Sequence, residues 1–96
     1  MKADINIEQH LKTLKPTLYE KYKVKEIGVF GSFARGEQTD ASDIDILIEL
    51  QEPLGWGFFD LKEFLESQLN RHVDLVTRNA LKKQLKEKIL SQTKFV

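Results

Sequence analysis

The chain has 96 residues and a formal net charge of zero, with 15 basic and 15 acidic side chains. That length predicts one domain, residues 1–96, with a single modest core. The neutral balance gives no global basic field for a nucleic-acid backbone, although a local basic face stays open. The absence of cysteine excludes disulfides, thiolate zinc sites and a cysteine nucleophile. His10 and His72 are too far apart in sequence to suggest a histidine-rich metal site. Neither an apolar signal core nor a membrane-length apolar run is present, so a cytoplasmic chain with no membrane partner is expected.

Asn6 is placed to cap a first helix, whose apolar stripe is Ile7, Leu11, Leu14, Leu18 and Tyr22. Pro16 removes a backbone donor within it and predicts a kink or two abutting pieces; the unbroken phase of the stripe favours the kink. Tyr19 and Tyr22 read as packing residues. Lys23–Phe30 reads as a strand, apolar on both faces from Ile27 onward and therefore buried. Gly31 breaks the run, as glycine does where the backbone turns or approaches a ligand closely. Ser32 can cap a following helical turn, whose open N–H groups suit a phosphate. Phe33 is expected to anchor that turn in the core. Arg35 has two readings, a solvated partner of Glu37 or a fork that grips phosphate oxygens. Gln38–Ala41 is a polar connection.

Ile44–Leu50 reads as the second strand. Its period of two puts Asp43 and Asp45 on one face and Ile44, Ile46 and Ile48 on the other. Neighbouring ionised carboxylates repel, and burying them unpaired is costly. A cation resolves the conflict, and a purely oxygen donor set suits Mg²⁺ held jointly with substrate phosphates. Glu49 continues the same face but lies further along, and reads as peripheral.

Gln51–Gly57 is a loop marked by Pro53, Gly55 and Gly57. Phe59 reads as part of a satellite core pinning this loop; Trp56 is either that or an exposed patch for a partner protein. Phe58–Leu69 forms a second long helix, lined by Leu61, Leu65 and Leu69 with Phe64 beside them. Val73–Val76 is a short strand in which Asp74 needs compensation. Thr77 or Asn79 is placed to cap a last helix with a Leu81, Leu85, Ile89 stripe joined by Leu90. Its lysines form a solvated face, or meet an acidic partner or RNA. Phe95-Val96 is expected to dock on the core or an interface.

A buried strand, Gly31-Ser32, ten further residues and then Asp43-x-Asp45 opening a second buried strand resemble the signature of polymerase-β-like nucleotidyltransferases. The pattern is similar in particular to the minimal nucleotidyltransferase family, often found as antitoxins beside HEPN-domain toxins. Gly31, Ser32, Ala34, Arg35, Gly36, Ser42, Asp43 and Asp45 carry the likeness, with the later Val73-Asp74-Leu75-Val76. It spans most of the chain.

The resemblance implies an α/β fold with a small, mixed, three-stranded sheet flanked by helices. It implies Asp43, Asp45 and Asp74 as catalytic residues and ligands of Mg²⁺, two ions in all. Gly31, Ser32 and Arg35 become nucleotide-binding residues, with ATP as donor. It also implies an acceptor that is itself protein: a hydroxyl, typically of tyrosine, on a cognate HEPN toxin silenced by AMP in a type VII toxin–antitoxin pair. Two other readings stand beside it. The fold neutralises its toxin by contact alone, through Trp56, Phe58 and the lysine-rich last helix, or it transfers nucleotide to an RNA end or a small molecule. Larger relatives carry a second domain for the acceptor, so a second copy of the chain or another protein is expected to complete the cleft.

Overall fold

In a computed structural model, which describes residues 7–39 and 41–96, helix α1 (Ile7–Tyr22) leads to strand β1 (Val24–Phe30). The short helix α2 (Ser32–Arg35), strand β2 (Ile44–Leu50), helix α3 (Gly57–Leu69) and strand β3 (Val73–Thr77) follow. A single 3-10 turn (Arg78–Ala80), helix α4 (Lys83–Gln92) and a two-residue strand β4 (Lys94–Phe95) complete the order. The expected cap Asn6 and the loop residue Asp40 lie outside the described residues.

The sheet runs β3-β2-β1-β4. β1 pairs antiparallel with β2 and with β4, while β2 and β3 are parallel. Two antiparallel neighbours can be joined by a tight turn, but a parallel pair needs a crossover. α3 supplies it. The expected mixed sheet is therefore present, with one strand more than the sequence suggested. β4 is too short to show an alternation of its own, and its place is betrayed only by Gly28 opposite it. A side chain at Gly28 would meet Thr93 Cγ2 at 2.5 Å and the Lys94 carbonyl at 2.9 Å. The glycine is what lets the last strand close on the sheet.

One face of the sheet forms the core. Ile27, Val29, Ile44, Ile46, Ile48, Val73 and Leu75 pack with Ile7, Leu11 and Leu18 of α1 and with Leu61, Leu65 and Leu69 of α3. These are the stripes that the helical spacing predicts. α1 is continuous across Pro16, which is exposed to solvent. Tyr22 stacks obliquely with Phe64, ring centres 5.4 Å apart, whereas Tyr19 is exposed rather than packed.

Further local expectations are corrected. Ser32 is the first residue of α2 and Gly31 its cap, with no side-chain cap bond. Neither Thr77 nor Asn79 caps α4: the 3-10 turn intervenes, and Lys82 is the capping position. The α4 stripe is not buried, and Leu85 is 49% exposed. Phe59 is 57% exposed and, with Trp56 at 85%, belongs to a surface patch rather than a satellite core. The helix start turns Phe58 inward, edge-on to Phe59 at 5.9 Å, which leaves the other two rings outside.

Candidate active site

The register of the sheet assembles the acidic cluster. In the parallel pairing Asp45 of β2 stands opposite Asp74 of β3, and on its other side Asp45 pairs with Phe30, the last residue of β1. Directly paired residues point to the same face. Asp45 and Asp74 thus share the face opposite the core, and their carboxyls come within hydrogen-bond reach of each other. Asp43, exposed just before β2, is close enough for its charge to act on Asp45. Partial burial pushes the Asp45 carboxyl up from its ordinary range, the Asp74 carboxylate adds to this, and Asp43 adds less. Arg35 pulls it back down. A carboxyl raised by burial and by like-charged neighbours is the condition a cation relieves.

The bend after β1 faces the same spot. Gly31 has φ of 71°, a conformation that side chains disfavour, and a Cβ there would collide with the Asp45 carboxylate. The absence of that carbon brings the Gly31-Ser32 backbone directly against Asp45. α2 is closed by bonds from Arg35 N–H to the Gly31 carbonyl, 3.1 Å, and from Glu37 N–H to the Ser32 carbonyl, 2.9 Å. Phe33 is buried and anchors the turn, as its pattern suggested. Arg35 donates from Nε to Glu37 at 2.9 Å, both side chains being at least half exposed.

The donor chemistry fits Mg²⁺. All the groups are carboxylates, two of them meet, and the described residues include no cysteine or methionine. Among the described residues no three Asp, Glu or His side chains form a ready-made metal-binding group. An ion whose coordination is completed by water and phosphate oxygens does not need a closed cage of protein ligands.

Glu49, further along the strand, is part-buried. It accepts from Arg78 Nη1 at 3.3 Å, which offsets the like charge of Glu26 across the strand pair. Sequence reasoning also passed over two supporting residues. Glu66 of α3 accepts from the Val73 N–H at 3.0 Å, and this bond holds its carboxyl below the usual range. It thereby fixes the entry to β3 one residue before Asp74. Arg71 donates from Nη1 to the Ser42 carbonyl at 2.9 Å and lies over the Phe33 ring. The available signal was position alone: a guanidinium between a helix end and a strand that carries a carboxylate.

Comparison with known proteins agrees with this geometry. The nucleotidyltransferase domain family model matches residues 11–96. A Methanocaldococcus jannaschii protein named "Putative protein adenylyltransferase" is 49% identical over 82 residues, covering 84% of this chain and 95% of the relative. Protein adenylyltransferase MntA of Thermococcus cleftensis is 42% identical over 91 residues, covering 94% and 92%. Among solved structures, a chain of a toxin–antitoxin complex with AMP-PNP superposes with a TM-score of 0.75 at 30% identity, covering 92% of this chain and 70% of that one. A chain from the complex of tri-AMPylated Shewanella oneidensis HEPN toxin with MNT antitoxin gives 0.64 at 26% identity, covering 95% and 68%. With a polymerase-β-like sheet, paired aspartates and an abutting glycine bend already in place, these matches show that the chain belongs to the nucleotidyltransferase domain family, in its minimal form.

Proposed function

We propose that this protein is a Mg²⁺-dependent protein adenylyltransferase, acting as the antitoxin to a HEPN toxin. The observation that carries the reading is the meeting of Asp45 and Asp74 against the Gly31 bend, which brings two carboxyls and an open stretch of backbone side by side and so supports a cation held next to substrate phosphates. The named activity of the relatives and the AMPylated toxin of the Shewanella complex supply the donor and acceptor classes.

In this reading Asp43, Asp45 and Asp74 hold Mg²⁺, two ions in all, while Gly31 and Ser32 hold the β- and γ-phosphates of ATP. Bound Mg²⁺ supplies the charge that offsets the triphosphate and lowers the pKa of the acceptor hydroxyl. The acceptor oxygen, from a tyrosine, forms a bond to the α-phosphorus. The bond from that phosphorus to the bridging oxygen breaks, and pyrophosphate leaves with its electron pair. Asp74, the more exposed member of the pair, takes the hydroxyl proton. Arg35 keeps its Nε on Glu37 and turns its terminal nitrogens to the phosphates. Residues 1–96 act as one domain in the cytoplasm, and the toxin completes the acceptor cleft. No helix among the described residues is long and apolar enough to cross a membrane.

The exposed Trp56 and Phe59, whose rings lie 6.0 Å apart, favour a second reading in which contact alone neutralises the toxin. One experiment separates the two. The protein is mixed with Mg²⁺, labelled ATP and the HEPN protein encoded beside it. Label on that protein, lost in the Asp43→Ala/Asp45→Ala variant, supports transfer. Full neutralisation by the unlabelling variant overturns it in favour of contact.

A further inference from the structure

Arg71 lies where three parts of the candidate site converge. It follows Asn70, the left-handed cap that ends α3, and precedes β3. Its Nη1 donates to the Ser42 carbonyl at 2.9 Å, with a longer contact to the Thr39 carbonyl at 3.5 Å. Its guanidinium carbon sits 5.2 Å from the centre of the Phe33 ring. The Ser42 carbonyl belongs to the peptide bond that carries Asp43. Phe33 is the residue that anchors the Gly31-Ser32 bend. A neighbouring bond repeats the tie, with Ile44 N–H donating to the His72 carbonyl at 3.0 Å. The backbone is therefore clamped on both sides of Asp43 to the two residues that lead into the Asp74 strand.

The side-chain chemistry is specific to arginine. A planar guanidinium can lie on an aromatic ring and still direct its edge N–H groups at a carbonyl. A lysine ammonium is a point charge that does one or the other. Arg71 is not itself among the buried residues of the core, although the Phe33 ring beneath it is one of them.

Resting on the transfer reading above, the geometry points to Arg71 as a positioning residue that holds Asp43 and the Gly31-Ser32 bend at their working separation. It acts through Ser42 and Phe33 and does not itself touch the reacting atoms.

The test compares the whole chain as wild type, Arg71→Gln and Asp45→Asn. In metal-free hydrogen exchange, the amides of residues 37–39 and 41–43 in Arg71→Gln exchange roughly tenfold or more faster, while those of β1 and β2 keep their protection. In Mn²⁺ titrations with AMP-PNP followed by electron paramagnetic resonance, Arg71→Gln binds roughly ten- to a hundredfold more weakly. Asp45→Asn loses the tight site. A folded Arg71→Gln with wild-type loop exchange and wild-type Mn²⁺ affinity overturns the inference and leaves the transfer reading standing. A wild type that holds Mn²⁺–AMP-PNP no tighter than Asp45→Asn overturns both. Should Arg71→Gln fail to fold, Arg71→Lys replaces it, with an expected loss of roughly three- to tenfold because the charge stays and the fork goes. Wild-type affinity in that variant equally overturns the assignment.

Discussion

The two faces of the sheet differ by one residue of phase and by everything in character. On the inner face Ile44, Ile46 and Ile48 of β2 and Val73 and Leu75 of β3 are almost fully buried against α1 and α3. On the outer face of the same strands stand Asp45, Glu49 and Asp74, with Leu47 the buried apolar residue between the first two. Burial of each inner aliphatic side chain contributes about 1.5–3 kcal/mol. The paired carboxyls contribute the opposite sign. A slip of one residue in β2 would bury the aspartates and expose the isoleucines, so the inner face fixes which residues the outer face presents. The stabilising face thus secures the register of the face that costs stability.

The largest expected effect removes the outer face's chemistry without touching the inner face. Asp45→Asn keeps the shape and removes the charge. Single-turnover transfer of AMP should fall about a thousandfold or more, roughly 4 kcal/mol in the barrier. Thermal unfolding in the same samples should show an intact fold. An Asp45→Asn variant with near wild-type transfer would break the assignment of the outer face as the working one.

The converse substitution is Leu65→Ala on α3, which empties part of the inner face, on the other side of the sheet from Asp45 and Asp74. It should lower the unfolding free energy by about 2–5 kcal/mol. Transfer per folded molecule, measured well below the melting transition, should hardly change. A large loss of rate at constant fold would show that the two faces are not separable in this way.

Between these lies Gly31→Ala, which strikes the seam where the outer face meets the bend. The new methyl requires a backbone φ of 71° and points at the Asp45 carboxylate. The conformational strain alone costs about 1–2 kcal/mol. Displacement of the carboxylate or the bend by a fraction of an ångström should slow transfer by roughly a hundredfold. Urea unfolding and transfer rates measured together check both halves of this expectation.

Much of the comparison was legible in the sequence because a period of two leaves no freedom. Once Ile44, Ile46 and Ile48 are inside, Asp43 and Asp45 are not, and β2 was read with the bounds it has. The long helices were legible for the same reason, their apolar spacing being strong. What escaped was set by tertiary partners. β4 exists because Gly28 leaves room for it, and two residues show no pattern of their own. Phe59 has the composition of a core residue, and only the angle at which α3 leaves its loop puts it outside. Glu66 and Arg71 do their work through backbone carbonyl and N–H groups, which a sequence does not display.

The smallest effect is a pH dependence, and its sign distinguishes the faces most directly. Burial, then Asp74, then Asp43 raise the Asp45 carboxyl above its ordinary value of 3.8. In the window from that value upward, the folded chain holds a proton that the unfolded chain has released. Stability from this group is present below the window and is lost as pH rises through it. Glu66 has the opposite sign: its carboxyl is lowered from 4.5, so its contribution is lost as pH falls. Comparing Asp45→Asn with wild type cancels the Glu66 part. In metal-free buffer at neutral pH the asparagine variant should melt a few degrees higher, the difference being kept small by solvent screening of a half-open site. The gap should close as pH approaches the ordinary carboxylate range. Addition of Mg²⁺ and AMP-PNP should raise the wild-type midpoint and leave the variant where it was, reversing their order. Equal midpoints at every pH would mean that neither burial nor like charge disfavours the ionised Asp45 in the folded chain, and the outer face would then be as neutral in its energetics as any solvated surface.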